Sequence, residues 1–201
     1  MDRSKTTYAA IAIVVCWLTA CGLPIDARLG IGVVAIGGAA LSIVLFPALF
    51  RRLFTPSIRL IAIGLVAAAV MVVATYVLYP ILAHVAPFIE TSTRDLYVDK
   101  LRVPHANALV LIIVSLIVVG EEVLWRGVVQ EAFGKRRLTV PLAAIVYGLA
   151  HAPLGSPLLV VVAVLCGLFW STLRSRTSSL LPSLIAHLIW DMAIVSHPLV
   201  R

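Results

Sequence analysis

The stretch Glu121-Glu122-Val123-Leu124-Trp125-Arg126 places three charged side chains within a long apolar segment, residues 106–133. A charged side chain inside the hydrocarbon core of a membrane costs about 2.5–3.5 kcal/mol even on the lenient insertion scales. Three such residues within six positions therefore need a reason. They indicate a polar centre that the protein keeps inside a membrane-embedded fold.

The composition predicts an integral membrane protein made of helices. Of the 201 residues, 62% are hydrophobic and 12% are charged, whereas soluble domains have about 45–50% apolar and about 25% charged residues. A bilayer core of roughly 30 Å needs about 20 apolar residues per helix. Seven segments meet or approach this length, of which the fifth is short: residues 7–23, 29–50, 58–85, 106–133, 138–153, 157–173 and 179–196.

We therefore expect an all-α, polytopic helical bundle with about seven transmembrane helices and a single transmembrane domain, residues 1–201. Residues 1–105 contain almost no polar side chain within their spans and are expected to form supporting helices. Residues 106–196 carry the polar clusters and are expected to form a catalytic four-helix core. The longest polar segment, residues 87–104, is too short for a domain and is compatible with a short helix at the outer surface.

The net charge of +7 is a topology signal and does not indicate nucleic-acid binding. Basic residues concentrate at the N-terminus and in alternate loops, so the positive-inside rule predicts a multi-pass cell-membrane protein with a cytoplasmic N-terminus and an outside C-terminus. Anionic lipid headgroups are the expected partners of these charges. The predicted cytoplasmic group is Arg3, Lys5, Arg51, Arg52, Arg59, Lys135, Arg136, Arg137, Arg174 and Arg176.

The three cysteines, Cys16, Cys21 and Cys166, all fall within predicted spans, so a disulfide framework is not expected. One alternative concerns the N-terminus. Residues 2–22 have a basic start, an apolar run and a small-residue segment around Cys21, which is also the pattern of a lipoprotein signal. We favour a first transmembrane helix.

Helical spacing assigns different roles to the two glutamates. Residues four apart share a helix face, so Glu122 and Arg126 are predicted to form a buried ion pair. Glu121 has no such partner, and its own i+4 neighbour is Trp125. A carboxylate in an apolar environment is suited to act as a general base near neutral pH.

Two later spans each carry a polar pair with the same spacing, Tyr147 with His151 and His187 with Asp191. At 1.5 Å per helical residue, Glu121 and these polar groups lie about 16–22 Å from the predicted cytoplasmic charges. Three helices thus place polar groups at one depth, and we expect them to converge.

Several functions are compatible with this constellation. A carboxylate and a histidine can activate water for attack on a carbonyl, while a second histidine stabilises the oxyanion. The same Glu/His/His set can also hold zinc with one position open to water. Intramembrane Glu, His and Asp residues also form proton relays in transporters, and a single histidine can simply join two helices by a hydrogen bond.

The motifs resemble those of the CAAX prenyl endopeptidase and bacteriocin-processing family of intramembrane proteases. That family has the pattern E-E-x-x-x-R, then F-x-x-x-H, then H-x-x-x-N or D, on successive transmembrane helices. Here the similar positions are residues 121–126, 147–151 and 187–191. Two positions depart from the common pattern, since Tyr147 replaces Phe and Asp191 stands where Asn is common.

The resemblance implies a glutamate endopeptidase that needs no metal or other cofactor. It implies that Glu121 activates water with His151 and that His187 and Asp191 stabilise the oxyanion. Glu122, Arg126 and Tyr147 would support the site. The implied substrate is a membrane-delivered protein or peptide. A non-catalytic immunity or scaffolding protein with the same fold is the alternative.

Overall fold

Helices account for the regular structure of the chain. The computed structural model describes residues 3–23, 27–100, 106–134 and 137–200, and these residues contain no strand. This confirms the predicted all-α class. The α-helices are α1 (Arg3–Gly22), α2 (Ala27–Leu45), α3 (Pro47–Leu53), α4 (Ile58–Val85), α5 (Phe88–Asp95), α6 (Ala108–Glu121), α7 (Gln130–Ala132), α8 (Thr139–Ala150), α9 (Pro157–Thr177) and α10 (Leu181–Ser196).

Three further helical segments have a different backbone geometry. A π-helical turn, Leu96–Lys100, follows α5, and a short 3₁₀ turn, Ala152–Leu154, follows α8. A longer π-helical segment, Glu122–Val129, joins α6 to α7. The polar segment 87–104 thus contains a short helix, as expected, namely α5. The part from 101 to 105 lies outside the described residues.

The described helices support a multi-pass membrane protein. Four stretches are long and apolar enough to cross a bilayer, namely Ser4–Gly22, Ile58–Val85, Ala108–Ala132 and Pro157–Thr177. The bent pair Leu29–Leu45 and Pro47–Leu53 makes a fifth if it counts as one span. The two remaining apolar helices, Thr139–Leu154 and Leu181–Ser196, are shorter. The predicted number of seven spans stays a prediction.

Polar and apolar side chains are distributed as a bilayer requires. Large apolar residues lie on the outside; Ile58 is 85% and Val85 is 75% exposed. Charged residues lie at the centre, where Glu122 and Arg126 are almost completely buried. Such an exposed apolar surface on a helical bundle is favourable when lipid covers it.

The second predicted span is not one continuous helix. We expected residues 29–50 to cross the membrane, but α2 ends at Leu45, and α3 runs at 103° to it. Pro47 lies in the first turn of α3, where its missing N–H costs nothing, whereas within a continuous helix it would break a hydrogen bond. Leu53 at the end of α3 accepts hydrogen bonds from Leu180 N and Ser179 Oγ, both at 3.0 Å, and so fixes the start of α10.

Two glycines let the helices that carry the polar clusters approach their neighbours closely. A Cβ at Gly120 would lie 2.5 Å from the Ala35 carbonyl oxygen of α2. A Cβ at Gly148 would lie 2.3 Å from Val164 Cγ2 of α9. Small residues allow close backbone packing between membrane helices. These contacts fix the positions of the adjacent residues Glu121 and Tyr147.

Charged residues from several segments meet at one end of the bundle. Glu131 binds Arg52 of α3 through Oε1 at 2.7 Å and Arg174 of α9 through Oε2. Lys5 of α1 lines the same groove as Arg52 and Glu131. The charge pattern had placed all three basic residues on one side of the membrane, and they do lie together. Lys135 and Arg136, which belong to the same predicted group, lie outside the described residues.

Candidate active site

The charged stretch adopts a π-helix, which helical spacing alone does not predict. Along Glu122–Val129 the backbone is wound more widely than an α-helix, and the N–H of Gln130 bonds to the carbonyl of Trp125, five residues back. π-helical segments are rare and occur frequently at functional sites. The glutamate pair thus lies at the junction between α6 and this segment.

Glu122 is the buried anchor of the cluster. Its side chain is completely buried, and its Oε1 lies 3.5 Å from Arg126 Nη1 and 2.9 Å from His187 Nδ1. Because a carboxylate oxygen only accepts hydrogen bonds, the proton of this contact is on Nδ1. Glu122 therefore joins the π-helical segment to α10 and fixes one edge of the His187 ring.

Glu121 occupies a different environment from Glu122. Its residue exposure is 8%, against 0% for Glu122, so it lies closer to open space. The hydroxyl of Tyr147 donates a hydrogen bond of 2.7 Å to Glu121 Oε2. This contact gives the tyrosine that replaces the usual phenylalanine a defined partner. The expectation that Trp125 determines the surroundings of Glu121 needs correction, because a polar contact from α8 reaches the carboxylate.

Trp125 instead packs on other aromatic rings. Its ring centroid lies 5.3 Å from that of Tyr147 and 5.5 Å from that of Trp17, both with edge-to-face geometry. Trp17 in turn contacts the His151 ring at 5.8 Å. Helix α1 was expected only to support the bundle, but it also contributes a fully buried tryptophan beside a candidate catalytic histidine.

His151 is held at the end of α8 by its own helix. Nδ1 lies 2.8 Å from the carbonyl oxygen of Tyr147, and the ring packs against the Tyr147 ring with centroids 4.8 Å apart. A carbonyl only accepts, so Nδ1 carries the proton, and Nε2 of the neutral ring keeps a lone pair. His151 and Glu121 therefore both contact Tyr147.

Nε2 of His187 lies between two carboxylates. It is 3.9 Å from Glu121 Oε2 and 3.7 Å from Asp191 Oδ1. Both distances exceed hydrogen-bond length but lie within ion-pair range. The Asp191 side chain is 24% exposed, which makes it the most open of the candidate residues. Of the polar groups predicted to converge from three spans, Glu121, His187 and Asp191 thus do lie together.

Besides its ion pair with Glu122, Arg126 lies over two aromatic rings. Its Cζ lies 4.2 Å from the Tyr147 ring centroid and 5.0 Å from that of Trp170. Within the described part of the chain, none of its three guanidinium nitrogens has a hydrogen-bond partner, and neither has Glu122 Oε2. Cation–π contacts are worth about 2 kcal/mol when desolvated. Arg126 therefore links the ring that holds Glu121 to the ring of Trp170.

One residue near the site was missed by sequence reasoning. Trp170 belongs to none of the three motifs, yet its ring lies nearly parallel to that of His187, with centroids 3.6 Å apart and an interplanar angle of 21°. No spacing rule could have paired them, since Trp170 belongs to α9 and His187 to α10. Only the packing of the two helices brings them together.

The residues that the structure describes contain no cluster of ligands that fits the zinc hypothesis. Among residues 3–23, 27–100, 106–134 and 137–200, no group of three or more His, Cys, Asp or Glu side chains is arranged to hold a metal ion. The close contacts instead join histidines to carboxylates, to a tyrosine carbonyl and to a tryptophan ring.

A model of a known protein family matches the part of the chain that carries this site. Residues 104–193 match the family described as Rce1-like, type II CAAX prenyl endopeptidase. The match covers slightly less than half of the chain and includes every residue of the three motifs. It confirms the resemblance found from the motifs: residues 104–193 are similar to an Rce1-like domain. No curated protein and no solved structure matches the chain. The family is one of proteases, which supports a peptidase at the level of the family.

Proposed function

We propose that this protein is an intramembrane endopeptidase that hydrolyses a peptide bond of a membrane-delivered protein or peptide. One observation carries the proposal. Glu121 is held by the Tyr147 hydroxyl at 2.7 Å, with His187 Nε2 at 3.9 Å, inside a domain that matches a protease family. A carboxylate fixed beside a histidine and largely protected from solvent is the arrangement that general-base hydrolysis requires.

In the proposed reaction Glu121 removes a proton from a water molecule as the water oxygen attacks the scissile carbonyl carbon. Nε2 of neutral His151 accepts a second hydrogen bond from that water and orients it. The attack forms a tetrahedral intermediate with a negatively charged oxygen. Glu121 then returns the proton to the leaving amide nitrogen, the C–N bond breaks, and a carboxylic acid and an amine are released.

The negative charge on the intermediate would be stabilised by His187 and Asp191. Because the Nδ1 proton of His187 is bound to Glu122, Nε2 can donate only if the ring is an imidazolium. The carboxylates of Glu121 and Glu122, both within 4 Å of the ring, favour that charge. A protonated Asp191 would supply the second donor.

The substrate is best identified by comparing membrane peptides of cells with and without the gene. We expect at least one peptide to accumulate uncut in the deletion strain and to be processed again when the wild-type gene is restored. Restoration with the Glu121→Gln variant, expressed at the same level, should leave that peptide uncut. If the variant restores processing, the protein acts without catalysis, as a scaffold or an immunity factor would.

The role of Asp191 can be tested by two substitutions of different chemistry. Asp191→Asn keeps a hydrogen-bond donor and should retain most of the activity, since an ionised carboxylate would repel an oxyanion. Asp191→Leu removes the donor, and kcat should fall by about 10²–10³-fold, the usual effect of losing one oxyanion donor. Cleavage rates of the purified, folded variants decide the matter. An equal loss of kcat in both variants would show that Asp191 supports catalysis through its negative charge, for example by orienting His187.

Metal dependence is tested by chelation. We expect cleavage by the purified protein to persist after prolonged treatment with a strong zinc chelator, because Glu121 and His151 suffice to activate water in the proposed mechanism. Elemental analysis of the same preparation should find zinc well below one atom per chain. Loss of activity with the chelator, followed by recovery on addition of zinc, would instead support a metalloprotease.

The proposed orientation places the end with Arg52, Glu131 and Arg174 in the cytoplasm. Single cysteines introduced at Arg51 and at Glu90, after replacement of Cys16, Cys21 and Cys166, test this prediction. In intact cells an impermeant maleimide should label the cysteine at position 90 and should label the one at position 51 only after lysis. The reverse pattern would mean that the positive-inside rule fails for this chain.

A further inference from the structure

The contact between Trp170 and His187 is unusually close for two aromatic rings. Trp170 is 1% exposed, and the centroid distance of 3.6 Å at 21° describes nearly parallel, overlapping rings. Two neutral rings prefer offset or edge-to-face arrangements with centroids about 4.5–7 Å apart, because their quadrupoles repel in a face-to-face stack. A cationic ring is instead attracted to the face of an indole. The geometry therefore suits an imidazolium at His187.

The hydrogen bonds of His187 do not fix the plane of its ring by themselves. Nδ1 bonds to Glu122 Oε1 at 2.9 Å, while Nε2 has carboxylate oxygens only at 3.7 and 3.9 Å. A ring held at one atom can still tilt about that contact. The stacked indole covers one face and removes this freedom, so that Nε2 points between Glu121 and Asp191.

Trp170 is itself held from several directions. Arg126 Cζ lies 5.0 Å from its ring centroid, and the Tyr147 ring lies at 6.4 Å. The Trp190 ring packs edge-on at 5.8 Å, and Trp190 Nε1 donates a hydrogen bond of 2.8 Å to Thr75 Oγ1. The indole is therefore a rigid support. It also connects His187 to Arg126, which contacts the tyrosine that binds Glu121.

We propose that Trp170 is a positioning residue that sets the plane of His187 and stabilises its positive charge. The stacking is independent of the proposed function, whereas its catalytic consequence rests on that function. Trp190 provides a matched control, because it is a neighbouring tryptophan that contacts the Trp170 ring. Within the described part of the chain it has no ring contact with His187.

The stacking is tested by tryptophan fluorescence of the full-length protein in detergent micelles, with no substrate present. A protonated imidazole in contact with an indole quenches its emission, so titration of His187 should produce a step in emission against pH. Glu121, Glu122, Asp191 and Arg126 surround this ring and set the pH of the step. A second histidine–tryptophan contact, between His151 and Trp17, is removed in all samples by His151→Gln.

In the His151→Gln background we expect the step in tryptophan emission against pH to be present in the parent protein and in the Trp190→Phe variant. It should be lost in both Trp170→Phe and His187→Gln. Persistence of the step in Trp170→Phe, or its absence from the parent when all variants remain folded, would overturn the proposed stack. This result does not depend on whether the protein cleaves peptides.

The catalytic consequence is tested with a synthetic peptide copied from the one that accumulates in the deletion strain. For Trp170→Leu we expect kcat to fall by about 10- to 100-fold, the size of effect that misplacement of a catalytic group produces, with KM nearly unchanged. Trp170→Phe, which keeps a ring, should recover part of kcat, and Trp190→Leu should change it less than about threefold. An equal loss of kcat in Trp170→Leu and Trp190→Leu would show that Trp170 only supports packing.

Discussion

Glu121→Gln is expected to abolish measurable peptide cleavage while the protein stays folded and inserted in the membrane. The substitution is nearly isosteric, and the amide oxygen can still accept the hydrogen bond that Tyr147 donates to Glu121 at 2.7 Å. What is lost is the carboxylate that removes a proton from water. General-base catalysis contributes about 10²–10⁴-fold to rate, so kcat should fall by at least two orders of magnitude. Initial rates with purified protein in lipid vesicles provide the measurement.

Tyr147→Phe serves as the matched control for this experiment. It removes only the hydroxyl and restores the residue that the resembling family commonly has, so we expect kcat to fall by no more than about tenfold, which is the lower end of the effect of one hydrogen bond to a charged group, about 1.5–3 kcal/mol. Substantial cleavage by Glu121→Gln, at about a tenth of the wild-type rate or more, would rule out Glu121 as the base. His151 or another group would then have to take that role.

Arg126→Leu is expected to destabilise the protein more than any other single substitution in the polar cluster. It leaves the Glu122 carboxylate, which is 0% exposed, without the guanidinium at 3.5 Å. Breaking a buried ion pair by removing one partner costs about 3–5 kcal/mol, and here the unsolvated Glu122 carboxylate keeps only its contact with His187 Nδ1 at 2.9 Å. The substitution Arg126→Leu also removes the cation that lies over the rings of Tyr147 and Trp170. Unfolding in mixed micelles, followed by circular dichroism, measures the change.

Glu122→Gln should be destabilising for the same reason, since it leaves Arg126 buried without an anion, and it also weakens the contact to His187. The double substitution Glu122→Leu with Arg126→Leu removes both charges and should recover part of the stability that either single substitution loses. Arg94→Gln is the control. It disrupts the ion pair with Glu90 at 3.7 Å, in which both side chains are about half exposed, and should cost less than about 1 kcal/mol. A similarly small loss of stability in Arg126→Leu would contradict a structural role for the buried ion pair of Glu122 and Arg126.

Sequence reasoning succeeded where the relevant contacts lie within one helix or follow from overall polarity. The apolar segments predicted an all-helical membrane protein. The spacing of Glu122 and Arg126 predicted partners that lie 3.5 Å apart, even though the backbone between them is π-helical. It failed at residues 29–50, where Pro47 divides the segment into two helices that lie at 103° to each other. Hydropathy does not register such a bend, because the residues on both sides of it are apolar.

Contacts between helices could not be predicted from spacing. Tyr147 and Glu121 are 26 positions apart and His187 and Glu122 are 65 positions apart, yet each pair is joined by a hydrogen bond. The sequence did predict one depth in the membrane for these polar groups, because it gives the distance along each helix to the charged ends. It could not show which atoms meet, because that depends on how each helix is rotated about its axis and how closely it packs.

The sequence by itself therefore determined the class of the protein and the three polar motifs, and it predicted a common level for these motifs in the bilayer. All of these follow from local hydrophobicity and helical periodicity. Only the tertiary structure decided that Glu122 holds His187, that the Tyr147 hydroxyl binds Glu121 and that Trp170 stacks on His187. The physical reason is the close packing of helices, which depends on small residues such as Gly120 and Gly148. That packing sets the distances between side chains on different helices, and no periodicity along a single helix encodes them.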